Sequence, residues 1–207
     1  MSKYANDFWD ERYSSKDYVY GEYPNHFLKE QLDKISSLGK LLLPGEGEGR
    51  NAVYAAKLGW KVDAFDQSVN AQNKALKLAQ KNKVKINYRI VDLTKFVPLK
   101  NHYDAVAIIF VHFSQEFSNA FHKKILDSLK PGGKIILEVF SKNQLGKNSG
   151  GPQDLAMLYT LDDIKNDFDS LKTILLEEVN IFLDEGDKHR GDASVIRFVG
   201  EKVGGTL

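Results

Sequence analysis

No cysteine occurs among the 207 residues, so a disulfide framework, a thiolate nucleophile and a zinc site are all excluded, and no metal is expected. Charge of one sign is also lacking. The 29 basic residues against 28 acidic ones leave +1, too little for a field that would steer the chain to nucleic acid or to an anionic membrane, so the expected partner is a small molecule. No apolar run approaches the length of about eighteen residues that spans a bilayer. The opening MSKYANDFWDERY is charged throughout and has no apolar signal core, which predicts a cytoplasmic chain. Internal repeats and low-complexity tracts are absent. At this length and with 42% hydrophobic residues the chain is expected to be one domain, monomeric or homodimeric, with a helical cap over 1–39, a nucleotide-binding core over 40–203 and a frayed tail over 204–207.

What the chain does have is a dense segment from Lys40 to Ser68. The apolar run Leu41–Leu43 is followed by Gly45, Gly47 and Gly49, then by a helix-patterned stretch from Asn51 to Leu58 that Gly59 ends. A second apolar run, Val62–Phe65, stops at Asp66. Strand, glycine loop, helix and strand with a terminal acid make the start of a nucleotide-binding βαβ unit. Glycine lets backbone without Cβ lie against a ligand and adopts positive φ cheaply. Asp66 would hang at the carboxyl end of the second strand, where a carboxylate accepts from both ribose hydroxyls, and that predicts an adenosine. The plainer alternative is a tight turn with no ligand. The dinucleotide pattern G-x-G-x-x-G is not met, since Arg50 stands where its last glycine would be.

Along the rest of the chain, the first 23 residues are rich in aromatics, and Phe8, Trp9 and Arg12 share a helix face. This segment is either a helix laid over the domain edge or a lid turning aromatic faces to a cation. Pro24 opens a helix bearing Phe27, Leu28, Leu32 and Ile35 that Gly39 ends. Ser68 caps a helix through Asn82 whose Lys74, Lys77 and Lys81 form a solvated face. The strand Ile86–Val91 ends at Asp92 and Leu93, which suit an adenine amine and ring, the alternative for Asp92 being a cap for the next turn. The apolar strand Tyr103–His112 reads as central and parallel. Ser114 then caps a helix with Phe117, Phe121, Ile125 and Leu129, and after the turn Lys130–Gly133 comes a strand, Lys134–Phe140. The glycine-bearing connection 141–159 has the length of a functional loop. Thr160 caps a short helix, and the runs Thr173–Leu183 and Ser194–Val203 form an antiparallel hairpin that brings His189 and Arg190 to the ligand edge.

These pieces resemble the class I S-adenosylmethionine-dependent methyltransferases. The motifs that carry the likeness are W-D-E-R-Y at 9–13, Y-P-N at 23–25, G-E-G-R-N-A-V-Y at 47–54, Asp66, Asp92, K-P-G-G at 130–133 and E-G-D-K-H-R-G-D-A-S at 185–194. Together they are similar to the small methyltransferases grouped with the tellurite-resistance (TehB-like) enzymes. The resemblance implies an α/β, doubly wound, mostly parallel seven-stranded sheet of order 3-2-1-4-5-7-6, its last strand antiparallel, with helices on both faces. It also implies S-adenosylmethionine as cofactor and S-adenosylhomocysteine as product. Gly45, Gly47 and Gly49 would lie under the methionine part, Asp66 on the ribose with Gln67 beside it, Asp92 and Leu93 on the adenine, and Phe110 near the sulfur. His189 and Arg190 match a pair implicated in handling an oxyanion acceptor, with Arg197 as a possible third member. The family places an acid two residues before the first glycine. Here Leu43 and Pro44 precede Gly45, so backbone carbonyls or another side chain must receive the cofactor's amino group.

The function expected is methyl transfer to a small acceptor, a thiol or a metalloid oxyanion, driven by alignment of the reactants and exclusion of water. Two rivals stand beside it. One is a non-catalytic cofactor-binding or regulatory domain, and the other an NAD-dependent oxidoreductase, against which Arg50 and Asp92 speak. His112 is a candidate base for a protic acceptor, or else a satisfied structural histidine.

Overall fold

Leu41, Leu42 and Leu43 are fully buried in β1 (Lys40–Pro44), as expected of a strand flanked by strands and covered on both faces. The computed structural model describes residues 3–204, with side chains from Phe8 onward, so the expected frayed tail beyond Gly204 lies outside the described residues. Seven strands form one sheet in the order β3-β2-β1-β4-β5-β7-β6, the order implied by the resemblance. The chain divides into two compact units, the first reaching to Phe96 and including Glu185–Lys188, the second comprising Val97–Asp184 and the residues from His189 on.

In the first unit β1 pairs in parallel with β2 (Lys61–Asp66), which pairs in parallel with β3 (Asn87–Ile90). Helix α3 (Arg50–Leu58) connects β1 to β2, and α4 (Val69–Lys81) connects β2 to β3. Ser68 caps α4 as read, its hydroxyl accepting from Ala71 N at 3.0 Å, and Ala71, Ala75, Leu78 and Ala79 form the buried stripe. Gly49 initiates α3 in the left-handed region (φ 89°), and a Cβ there would stand 2.6 Å from Ala75 Cβ. The close approach that requires this glycine is the seating of α3 on α4. Ahead of β1, α1 spans Lys3–Arg12 and α2 spans His26–Asp33. The second helix starts later and stops earlier than the pattern suggested. Asn25, not Pro24, sets its start, with Oδ1 accepting from Leu28 N at 2.9 Å, and Lys34 closes it before Ile35 and Gly39.

In the second unit β4 (Tyr103–Ile109) pairs in parallel with β5 (Leu129–Phe140). The register steps from Tyr103 opposite Leu129 to Ala105 opposite Lys134, so the expected turn Lys130–Gly133 is a bulge carried within β5. β4 stops three residues short of His112 because Phe110 adopts φ 53°, outside the extended region. Helix α5 (Gln115–Ser128) buries Ser118, Phe121, His122 and Ile125. Phe117 is exposed, which corrects the period-four stripe to an i, i+3, i+4, i+7 one. Helix α6 (Leu161–Asp167) opens with a reciprocal capping box between Thr160 and Asp163. β6 (Leu171–Asp184) and β7 (Arg190–Lys202) form the predicted antiparallel hairpin, and β7 also runs antiparallel to β5. β6 therefore points the same way as β5, and its carboxyl end lies at the carboxyl edge of β5.

Candidate functional site

The loop from Gly45 to Gly49 turns through three glycines at φ 62°, 64° and 89°. It is tied to the end of β2 twice: Glu46 N donates to Phe65 O at 3.1 Å, and Gly47 N donates to Asp66 Oδ2 at 3.1 Å. The other oxygen of Asp66 accepts from Ser68 N at 3.0 Å. The acid and the glycine backbone singled out in the sequence are therefore in direct contact, and Asp66 is 6% exposed. Burial raises the Asp66 pKa, against the lowering effect of the Ser68 and Gly47 amides. Gln67 follows, half-buried.

Asp92 behaves as the cap its alternative reading described. Its Oδ1 accepts from Thr94 N at 2.9 Å and from Thr94 Oγ1 at 2.7 Å at the start of a single 3-10 turn, while Oδ2 lies 4.0 Å from the exposed Lys95 Nζ. Burial acts to raise its pKa, but the Thr94 hydrogen bonds prevail and the net shift is downward. Leu93 is buried beside it.

Two tyrosines bracket Gly47. Tyr88 Oη donates to Gly47 O at 2.6 Å, and a Cβ on Gly47 would be 2.9 Å from Tyr13 Oη. Both are buried, and burial drives both phenol pKa values well above the usual range. Tyr13 belongs to the aromatic N-terminal segment, which the polar groups of this unit pin down. Asp10 accepts from Ser68 Oγ at 2.6 Å and from Asn70 N at 2.9 Å; Tyr20 N donates to Glu48 at 3.3 Å; Arg50 Nη1 donates to Tyr20 O at 3.2 Å. Arg50 Nη2 pairs with Glu185 at 2.8 Å, and Asn25 Nδ2 reaches the other oxygen of Glu185 at 3.1 Å. The faces of Phe8 and Trp9 are already taken by a cation of the chain itself, since Arg12 lies 4.7 and 5.4 Å from their centroids.

Lys74 corrects the sequence reading most. It is not solvated but buried on α4, with Nζ 2.7 Å from Glu48 Oε1 and 2.7 Å from the carbonyl of Asp17. The alternation of Glu46 and Glu48 with the glycines was the available signal for these loop acids, and both are buried.

In the second unit His189 and Arg190 are adjacent in sequence but diverge. The His189 ring is buried edge-on against Phe110, 4.7 Å between centroids, and against Phe140 at 5.5 Å. Arg190 is exposed, with Nε 3.8 Å from Asp184. Arg197 does not join them, because its Nε donates to the buried Glu138 at 2.6 Å, directly across from it in the sheet. The 141–159 connection is bound down by Gln144, fully buried, which accepts from Ser194 N at 2.8 Å and donates to Ser149 Oγ and Gly150 O, both at 2.9 Å. A cavity of about 50 Å³ opens between this connection and α5, lined by Phe113, Ser118, Tyr159, Asp163 and Asp167 among others. The two carboxylates disfavour an oxyanion in it.

His112 is structural. With both ring nitrogens engaged, Nδ1 with Met157 O at 2.9 Å and Nε2 accepting from Phe140 N at 3.2 Å, its tautomer is fixed with the proton on Nδ1. Burial pushes its pKa down to about 4, with the neighbouring His189 acting the same way. A depressed histidine supports the fold above its unfolded pKa of about 6.5 and loses that support as pH falls toward the folded value. An NMR titration is expected to keep the His112 ring neutral down to about pH 5; a midpoint near 6.5 would mean that the ring is solvated.

Comparison with known proteins places this geometry. Residues 42–133 match the family model described as a methyltransferase domain. A search of curated proteins finds no match. Among solved structures, the chain is similar to the protein in the study of conversion of a disulfide bond into a thioacetal group during echinomycin biosynthesis, at 14% identity, covering 97% of this chain and 93% of that one with a TM-score of 0.78. It is similar to TehB from Haemophilus influenzae at 17% identity, covering 95% and 66% with a TM-score of 0.71. It is similar to the N-methyltransferase NodS from Bradyrhizobium japonicum, solved with S-adenosylhomocysteine, at 13% identity, covering 95% and 97% with a TM-score of 0.71. At these identities the structures speak for the fold alone. Residues 42–133 thus match a methyltransferase domain, and the chain as a whole shares the fold of these three structures.

Proposed function

We propose that the chain transfers a methyl group from S-adenosylmethionine to a small, soft nucleophile, a thiol or a metalloid oxyanion. The observation that carries the cofactor half of this reading is the contact between Asp66 and the Gly47 amide, which sets a buried carboxylate against left-handed glycine backbone at the end of β2. Those residues fit an adenosine bearing a methionine tail: each Asp66 oxygen has a lone pair beyond its backbone bond, and Asp92 keeps Oδ2 beyond its cap. When bound, the cofactor supplies an electrophilic methyl on a sulfonium. In this reading Asp66 and Gln67 hold the ribose, Asp92 and Leu93 the adenine, and Gly45, Gly47 and Gly49 the methionine part.

His189 and Arg190 serve the acceptor. Arg190, exposed on the hairpin, balances an anionic nucleophile, and His189 is held in one orientation by Phe110 and Phe140. A soft anion needs no base, so the chain's contribution is to orient it and keep out water. The reading extends to a cytoplasmic enzyme, monomeric or homodimeric, without nucleic-acid or membrane partners. Among the described residues no helix is long and apolar enough to cross a membrane.

The test is transfer of a labelled methyl group to a panel of thiols, selenite and tellurite. His189→Ala and Arg190→Ala are expected to lower turnover while leaving S-adenosylhomocysteine affinity within about twofold. Cofactor binding without transfer to any member of the panel contradicts the acceptor class, and equal loss of binding and turnover in both variants moves the pair into the cofactor site.

A further inference from the structure

Glu46 stands between Gly45 and Gly47, is 8% exposed, and among the described residues forms no ion pair. Its loop neighbour Glu48 is already matched by Lys74 at 2.7 Å. Glu46 Oε1 accepts from Ala52 N at 2.7 Å in the first turn of α3, and Asn51 contributes further hydrogen bonds. Among the charged and titratable groups, Arg50 acts on it from α3, and Tyr88 lies within its electrostatic reach from β3. A carboxyl withdrawn from water without a close cation keeps its proton longer, and burial lifts Glu46 to about 7, beyond what the Ala52, Arg50 and Asn51 interactions offset. The methionine end of the proposed cofactor carries a primary ammonium. A buried carboxylate meeting an ammonium forms a charge-assisted hydrogen bond, the strong kind in a water-poor site.

Resting on the function proposed above, we propose that Glu46 is the carboxylate that receives the α-ammonium of the methionine end of S-adenosylmethionine. Below about pH 7 the Glu46 proton then leaves to solvent as the ammonium arrives, whereas at pH 8 the group is already ionised and no proton is released. 5′-Methylthioadenosine, which has the nucleoside but no amino-acid end, displaces no such proton.

Titration calorimetry at pH 6.5 in two buffers of different ionisation enthalpy tests this with S-adenosylhomocysteine and 5′-methylthioadenosine. The wild-type chain is expected to release a proton fraction with the first ligand and none with the second. Glu46→Gln keeps an oxygen for Ala52 N but removes the charge. It is expected to weaken S-adenosylhomocysteine by about tenfold or more, to leave 5′-methylthioadenosine within about twofold, and to abolish the proton release. Unchanged S-adenosylhomocysteine affinity in the variant, or equal loss for both ligands, overturns the assignment and leaves Glu46 as a support of α3. Should the variant not fold, the wild-type comparison decides alone, with equal release for both ligands, or none for either, counting against Glu46. Failure of the wild-type chain to bind either ligand removes the cofactor reading and this assignment with it.

Discussion

Glu48→Ala is expected to destabilise the chain by about 3–5 kcal/mol, the cost of leaving a buried ionic partner uncompensated. Lys74 Nζ sits 2.7 Å from the lost carboxylate, in a pair whose side chains are 11% and 2% exposed, and its remaining acceptors are the neutral Asp17 carbonyl at 2.7 Å and Ser15 Oγ at 3.4 Å. The same substitution removes the acceptor of the Tyr20 amide, so the N-terminal segment loosens along with the loop. Removing both charges is a different experiment. Glu48→Met combined with Lys74→Met trades a desolvated pair for apolar packing and is expected to recover most of the loss. Urea unfolding of the two variants at pH 7 checks this; a loss below about 1 kcal/mol for Glu48→Ala would place the pair among solvated ones.

The second large effect falls on binding. Asp66→Ala is expected to weaken S-adenosylhomocysteine by about 1.5–3 kcal/mol, as for loss of a charge-assisted contact, which is roughly 10- to 150-fold in affinity. The substitution also strips the Gly47 and Ser68 amides of their acceptor, so part of the effect reaches the ligand through the loop. Asp66→Asn separates the two contributions, because its amide oxygen still serves one backbone N–H while the charge is gone. Calorimetry showing full affinity in both variants would remove Asp66 from the site.

The parts of this molecule legible in the sequence are those set by neighbours in the chain. The Leu41–Leu43 run, the Ser68 cap, the Thr160–Asp163 box and the hairpin of β6 and β7 each depend on residues a few positions apart, where period and capping chemistry speak directly. Asp66 was legible because a carboxylate after an apolar strand has no packing role, and the structure sets it against Gly47.

What escaped is set by partners distant in sequence. Lys74 shares a helix with the exposed Lys77 and Lys81, and helical period does not reveal that Glu48, in a loop 26 residues earlier, waits beneath it. Phe117 looked like core because it is apolar, whereas the buried stripe runs through the polar Ser118 and His122. Their burial is tolerable because Ser118 meets Tyr159 Oη at 2.8 Å and His122 meets Asp167 at 2.7 Å, contacts more than forty residues away. Arg197 looked available for an anion, and a cross-strand glutamate occupies it. In each case a long-range partner decides between two roles that local chemistry leaves equal.

The central claim, that a sulfonium nucleoside rests on the Gly45–Gly49 backbone with its sugar held by Asp66, is tested most directly by a crystal structure grown with S-adenosylhomocysteine. The account predicts both ribose hydroxyls within hydrogen-bonding distance of the Asp66 carboxylate and the amino-acid end of the ligand along the glycine loop. A ligand bound elsewhere, with Asp66 still committed only to the Gly47 and Ser68 amides, would contradict it.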